Sequence, residues 1–209
     1  MFQPIQNKIL VKVNHTFTKN ATDIQRLAAL ENNTTIDPAD YVTICGEIVA
    51  LPKIISNTKE YEGYSLDGIF VGDTAIFSYQ VIYNLQYYAE QDKIVYKNEI
   101  IYEGQRYFQV DISLLFGVIQ GGQIKMLNGW VMLDEYPASL IVLDNQSKKM
   151  RGTVTSEINY IGSSRKHEKT IRAKRGDLAY FSPFYPQHYQ INGKRFIILP
   201  QKHILGVAS

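Results

Sequence analysis

Apolar residues in this chain come in short runs bounded by Asn, Gly, Asp and Pro. Near the N-terminus Ile9, Val11 and Val13 alternate with Leu10 and Lys12. Further on, Trp130, Met132 and Asp134 alternate with Val131 and Leu133. Neither stretch follows the helical period, and the chain is rich in Ile, Val, Tyr and Phe. The pattern predicts a mainly β protein.

The runs also repeat. PIQNKILVKV (Pro4–Val13) lies over KMLNGWVMLD (Lys125–Asp134), with Asn7 on Asn128. GEIVAL from Gly46 lies over GTVTSE from Gly152, and VGDTAIFSY (Val71–Tyr79) over RGDLAYFSP (Arg175–Pro183). RYFQVDISLLFGV (Arg106–Val118) lies over RFIILPQKHILGV (Arg195–Val207). A Gly-Asp turn before a strand is common in β proteins, because Gly accepts positive φ and Asp caps turns. The same matches in the same order are much harder to obtain by chance. They divide the chain into a first domain, residues 1–121, and a second, residues 122–209.

The repeated unit resembles the co-chaperonins of the GroES type. KMLNGWVMLDEYP is similar to that family's opening strand, SLIVLDNQSKKMRGTV to its mobile loop and following strand, AKRGDLAYF to its K-x-G-D strand, and RFIILPQKHILGV to its closing strand. His203 stands where the family often has an acid. The resemblance implies two tandem, partly open β-barrels. It also implies that Ile141, Val142 and Leu143 form the hydrophobic tripeptide docking into an apolar groove on the apical domain of a GroEL-type chaperonin. Read from spacing alone, an ordinary buried strand of the second barrel is the more common explanation of the same LIVL segment.

The corresponding loop of the first copy, His15–Tyr41, carries no three-aliphatic tripeptide. Ile24, Leu27 and Leu30 instead fall on one face of a short helix with Asp23 as N-cap. They form a second partner-binding segment, a face packed on their own barrel, or part of a disordered excursion. The tyrosine-dense insertion Tyr83–Gln105 reads as an elongated hairpin, with Lys93–Tyr96 and Glu99–Tyr102 as arms around Lys97-Asn98. It suits a subunit interface or a surface hairpin folded on its own barrel.

Composition narrows the function. A chain of 209 residues with 45% hydrophobic content has enough apolar material for a sizeable core. The net charge of +2 is too small to argue for nucleic acid, and the basic stretch Ser163–Arg175 lacks interleaved aromatics. No apolar run approaches the roughly 20 residues that cross a bilayer, and the N-terminus does not read as a signal peptide. A cytoplasmic soluble protein is expected. The single cysteine, Cys45, allows no intrachain disulfide or cysteine cluster. His15, His167, His188 and His203 lack metal-ligand spacing. No Walker loop, G-x-G-x-x-G or G-x-S-x-G is present, so no metal, cofactor or catalytic residue is expected, and the chain does not read as an enzyme.

The expectation is therefore a homo-oligomeric, ring-shaped lid that closes a chaperonin cavity while the chaperonin hydrolyses ATP. The alternative is a ring-forming structural or assembly protein, of bacteriophage or low-GC bacterial origin, using the barrels as a scaffold.

Overall fold

A computed structural model describes residues 4, 7–18, 22, 38–56, 58–91, 93–135, 143–144, 147–148, 150–158, 173–182 and 187–208. It is mainly β, as expected, with one short α-helix, Gln80–Tyr83, among the described residues. The chain divides into two compact units. The first comprises Met1–Ser56 with Phe70–Leu115, the second Asn57–Ile69 with Phe116–Ser209.

In the first unit β1 (Lys8–Lys12), β2 (Cys45–Ala50) and β3 (Thr74–Phe77) form one antiparallel ladder. Three further strands are β4 (Leu85–Tyr88), β5 (Lys93–Tyr96) and β6 (Glu99–Tyr102). With β7 (Gln105–Asp111) the main sheet reads β6-β7-β1-β2-β3. The tyrosine-rich insertion differs from its expected shape. β5 pairs with β4, not with β6, and β6 pairs with β7. The cause is Glu103-Gly104, which take φ of 49° and 71° and so turn Tyr102 directly back onto Gln105. Lys97-Asn98 merely link two ladders: Lys97 N–H donates to Asn84 O, and Asn98 O accepts from Gln109 N–H.

The second unit holds β8 (Leu115–Gln120, from Phe116 onward), β9 (Gln123–Met126) and β10 (Trp130–Glu135). The two-residue strands β11 (Leu143–Asp144) and β12 (Ser147–Lys148) precede β13 (Met150–Val154) and β14 (Glu157–Ile158). β15 (Leu178–Phe181), β16 (Gln187–Ile191), β17 (Lys194–Pro200) and β18 (Ile204–Ala208) complete it. Its main sheet reads β16-β17-β10-β13-β15-β18, while β9 pairs with β8 and with β14. Among the described residues neither ladder closes on itself as a barrel.

The stretches that match in sequence share their hydrogen bonding. Gly72 and Gly176 take φ of 98° and 94° and donate N–H to Ile48 O and Val154 O, at 2.8 and 2.9 Å. β7, the 3-10 turn Ile112–Leu114 and Leu115 follow one another as do β17, the turn Gln201–His203 and β18. The cores follow suit. Ile9, Val11, Ile48, Ala75, Phe77, Phe108, Val110 and Leu115 are fully buried in the first unit. Val131, Leu133, Val154, Ala179, Phe181, Ile197, Leu199 and Ile204 hold the same ladder places in the second. Each side chain of this size removed from water stabilises its unit by about 1.5–3 kcal/mol in gross terms.

One register differs from the sequence match. Val11 pairs with Ile48 and Leu133 with Val154, so Val11 corresponds to Leu133 and not to Met132. Gly129, at φ 76°, is the extra residue. It lets Asn7 and Asn128 keep one role despite the shift. Both take positive φ, both are buried, and each Oδ1 accepts a loop N–H, from Ser56 at 2.6 Å and Ser65 at 3.0 Å.

Candidate functional site: the ends of the two sheets

In each unit a long segment leaves one end of the sheet, between β1 and β2 in the first and between β10 and β13 in the second. In the second unit the last pair of β10 with β13 is Glu135 with Gly152, and residues 136–149 connect the strands. Of the expected docking tripeptide, Ile141 and Val142 lie outside the described residues. Leu143 is described in its backbone. It pairs with Lys148 while Asp144 pairs with Ser147, a two-stranded ladder separate from the six-stranded sheet. Leu143 is therefore not an added strand of that sheet.

In the first unit the equivalent segment leaves after β1 and returns before β2. Its base is zipped. Phe17 bridges Val42, Thr18 N–H donates to Tyr41 O at 2.8 Å, and Thr43 N–H donates to Thr16 O at 2.9 Å. Phe17, Ala39 and Val42 are buried, so the stem has its own apolar seal. Ile24, Leu27 and Leu30 lie outside the described residues.

At the opposite end of each sheet sits a tight turn. Phe70 N–H donates to Asp73 Oδ2 at 2.7 Å, and Lys174 N–H to Asp177 Oδ2 at 2.8 Å. Asp73 N–H and Asp177 N–H close the same turns onto Phe70 O and Lys174 O. The backbone geometry is shared, but the surface is not. The first turn exposes Phe70 and Val71, the second Lys174 and Arg175. Sequence comparison aligned these turns without revealing that the differing side chains are surplus to their geometry.

Burial pushes the Cys45 thiol up to about 12, far from the thiolate a nucleophile needs. Among the described residues no group of three or more His, Cys, Asp or Glu could hold a metal ion. A cavity of about 300 Å³ in the second unit is lined by Ile124, Met132 and Phe196 with Arg175, Lys194 and Glu157. Lys194 is engaged there: Nζ lies 2.8 Å from Asp134 Oδ1 and 5.1 Å from the Phe196 ring centre. No helix among the described residues is long and apolar enough to cross a membrane.

Sequence reasoning missed one correspondence in this region. Tyr102-Glu103-Gly104-Gln105-Arg106 and Ile191-Asn192-Gly193-Lys194-Arg195 make the same two-residue hairpin turn, with positive φ at both central residues. The shared x-Gly-x-Arg spacing was the available signal. No protein-family model and no curated protein matches the chain.

Proposed function

We propose that the chain is a co-chaperonin, a ring-forming lid that caps a GroEL-type chaperonin without binding nucleotide itself. In this reading residues 1–121 and 122–209 are two GroES-like, partly open barrels. The segment of the second that matches the family's docking loop acts through Ile141, Val142 and Leu143. The lid acts in the cytoplasm and has no catalytic residue, metal or cofactor of its own.

One observation supports it most. The segment bearing Leu140–Leu143 leaves the sheet between β10 and β13, and Leu143 pairs only with the local strand β12 among the described residues. A docking segment must be separable from the core, and its described residues, β11 and β12, pair with each other outside the six-stranded ladder. Three aliphatic side chains removed from water contribute roughly 1.5–3 kcal/mol each, gross. Ordering the loop takes back several kcal/mol, so one loop binds weakly and a ring binds firmly by effective concentration.

The first unit supports a modified partner mode. Its equivalent segment starts from a stem sealed by Phe17 and Val42 and lacks the tripeptide. Ile24, Leu27 and Leu30 are then a second partner-binding face. The test is chaperonin pull-down of Ile141→Ser/Val142→Ser/Leu143→Ser beside wild type, with the ring checked by sedimentation. Loss of binding with an intact ring assigns the site. Undiminished binding moves docking to residues 15–41, and no binding by wild type favours a ring-forming scaffold.

A further inference from the structure

The two repeats treat their closing strands differently. β8 and β18 hold one place in the repeat: each follows a 3-10 turn, after β7 or after β17, and the sequence match sets Gly117 on Gly206. β8 is covered. β9 runs antiparallel along it, with Gly117 opposite Met126 and Val118 opposite Lys125, and Phe116 and Val118 are buried. β18 pairs with β15 at the end of the six-stranded sheet, so its other edge has no strand among the described residues. Leu205 and Val207, the counterparts of Phe116 and Val118, are 49% and 36% exposed. An open edge with apolar side chains and neither charge nor proline is a template for strand addition.

The strand glycines identify the missing strand. A β-carbon on Gly46, Gly117 or Gly152 would lie 2.8, 2.6 or 2.6 Å from a backbone oxygen, that of Lys12, Lys125 or Asp134. Glycine is needed at each because a neighbouring backbone comes that close. A β-carbon on Gly206 would meet nothing within 4 Å, and Gly206 is not among the glycines at positive φ. Neither packing nor backbone conformation among the described residues requires a glycine there. The oxygen that Gly206 lacks has a counterpart in the repeat. Lys125, which supplies it to Gly117, lies over Pro4, and Met126 lies over Ile5. Proline suits the place, because its carbonyl accepts although it has no N–H to give.

Pro4 belongs to the first unit and β18 to the second, so no short hairpin joins them as Gly121-Gly122 joins β8 to β9. Of residues 1–6 only Pro4 is described. We propose that β18 pairs antiparallel with residues 2–6 of a second copy of this chain. The Pro4 carbonyl then seats against Gly206, and Ile5 takes the place that Met126 holds on Gly117. The contact is head-to-tail, so it closes a ring or runs on as a filament. It holds whether the assembly caps a chaperonin or serves as a scaffold.

Sedimentation velocity of the full chain across a range of concentrations tests this, with Gly206→Val and Ile5→Asp beside wild type. Gly206→Val has room in the isolated chain but puts a β-carbon where the Pro4 oxygen must come. Each variant should keep the wild-type circular dichroism yet self-associate at least about tenfold more weakly. A one-to-one mixture of the two should form a dimer and nothing larger, since each chain keeps one sound surface. Undiminished association in either variant, or a mixture that stays monomeric, would overturn the assignment. So would a wild type that is monomeric at every concentration, which would leave β18 to its own chain or to an unrelated partner.

Discussion

A β-carbon placed on Gly152 would lie 2.6 Å from the carbonyl oxygen of Asp134. Gly46 stands in the same relation to Lys12 in the first unit, at 2.8 Å. Both contacts are with backbone, which cannot swing aside as a side-chain tip can. Gly46→Ala and Gly152→Ala are therefore each expected to destabilise by about 1–3 kcal/mol through overpacking. Urea denaturation followed by Trp130 fluorescence and far-UV circular dichroism checks this. Stability within error of wild type for either would show that the ladder can shift.

The paired turns allow a transplant. Because the turn geometry rests on Gly72, Asp73 and backbone groups, Phe70→Lys/Val71→Arg should change stability by no more than about 0.5 kcal/mol. Asp73→Ala, which removes the Oδ2 acceptor from Phe70 N–H, should cost about 0.5–1.5 kcal/mol. Thermal melts of the two variants side by side separate surface from frame.

Arg106 ties the insertion to the sheet. Its Nε lies 2.6 Å from Glu99 Oε1, its Nη1 3.3 Å from Thr16 Oγ1, and its guanidinium carbon 5.3 Å from the Tyr96 ring centre. The arginine is partly exposed, so screening limits the ion pair. Arg106→Met is expected to cost about 1–2 kcal/mol, chiefly by leaving the more buried Glu99 without its cation. Adding Glu99→Gln should recover part of that loss in a double-mutant cycle.

Cys45 gives a signed pH dependence. Its folded pKa of about 12 stands above the ordinary 9.0 because burial opposes the thiolate. The unfolded chain therefore releases this proton first. The cysteine's contribution to stability is fully present below about pH 9 and declines as pH rises toward about 12. Wild type should lose more stability than Cys45→Ala between pH 8 and pH 10.

Much of this fold could be read from local chemistry. Gly72-Asp73 and Gly176-Asp177 announced their turns because only glycine takes φ near 95° without strain and Asp can accept the turn's own N–H. The closing strands aligned correctly from Arg106 and Arg195. Strand partnership in the insertion was less legible. Lys93–Tyr96 and Glu99–Tyr102 carry apolar and polar residues that suit several neighbours, and Glu103-Gly104 is a weaker turn signal than Asn-Gly. The β10 register slipped by one because Gly129 adds a residue inside a turn, where periodicity carries no information. For the candidate site, the sequence located the segment and its aliphatic cluster. The description of Leu143 adds its local pairing, and Ile141, Val142, Ile24, Leu27 and Leu30 rest on sequence alone.

The proposed lid role stands or falls on capture of the wild-type chain by a purified GroEL-type chaperonin with and without ATP or ADP. A lid binds in a nucleotide-dependent way at sub-stoichiometric ratios of chain to chaperonin subunit and is released when nucleotide is removed. Equal capture with and without nucleotide, or none in either condition from an intact oligomer, would contradict it.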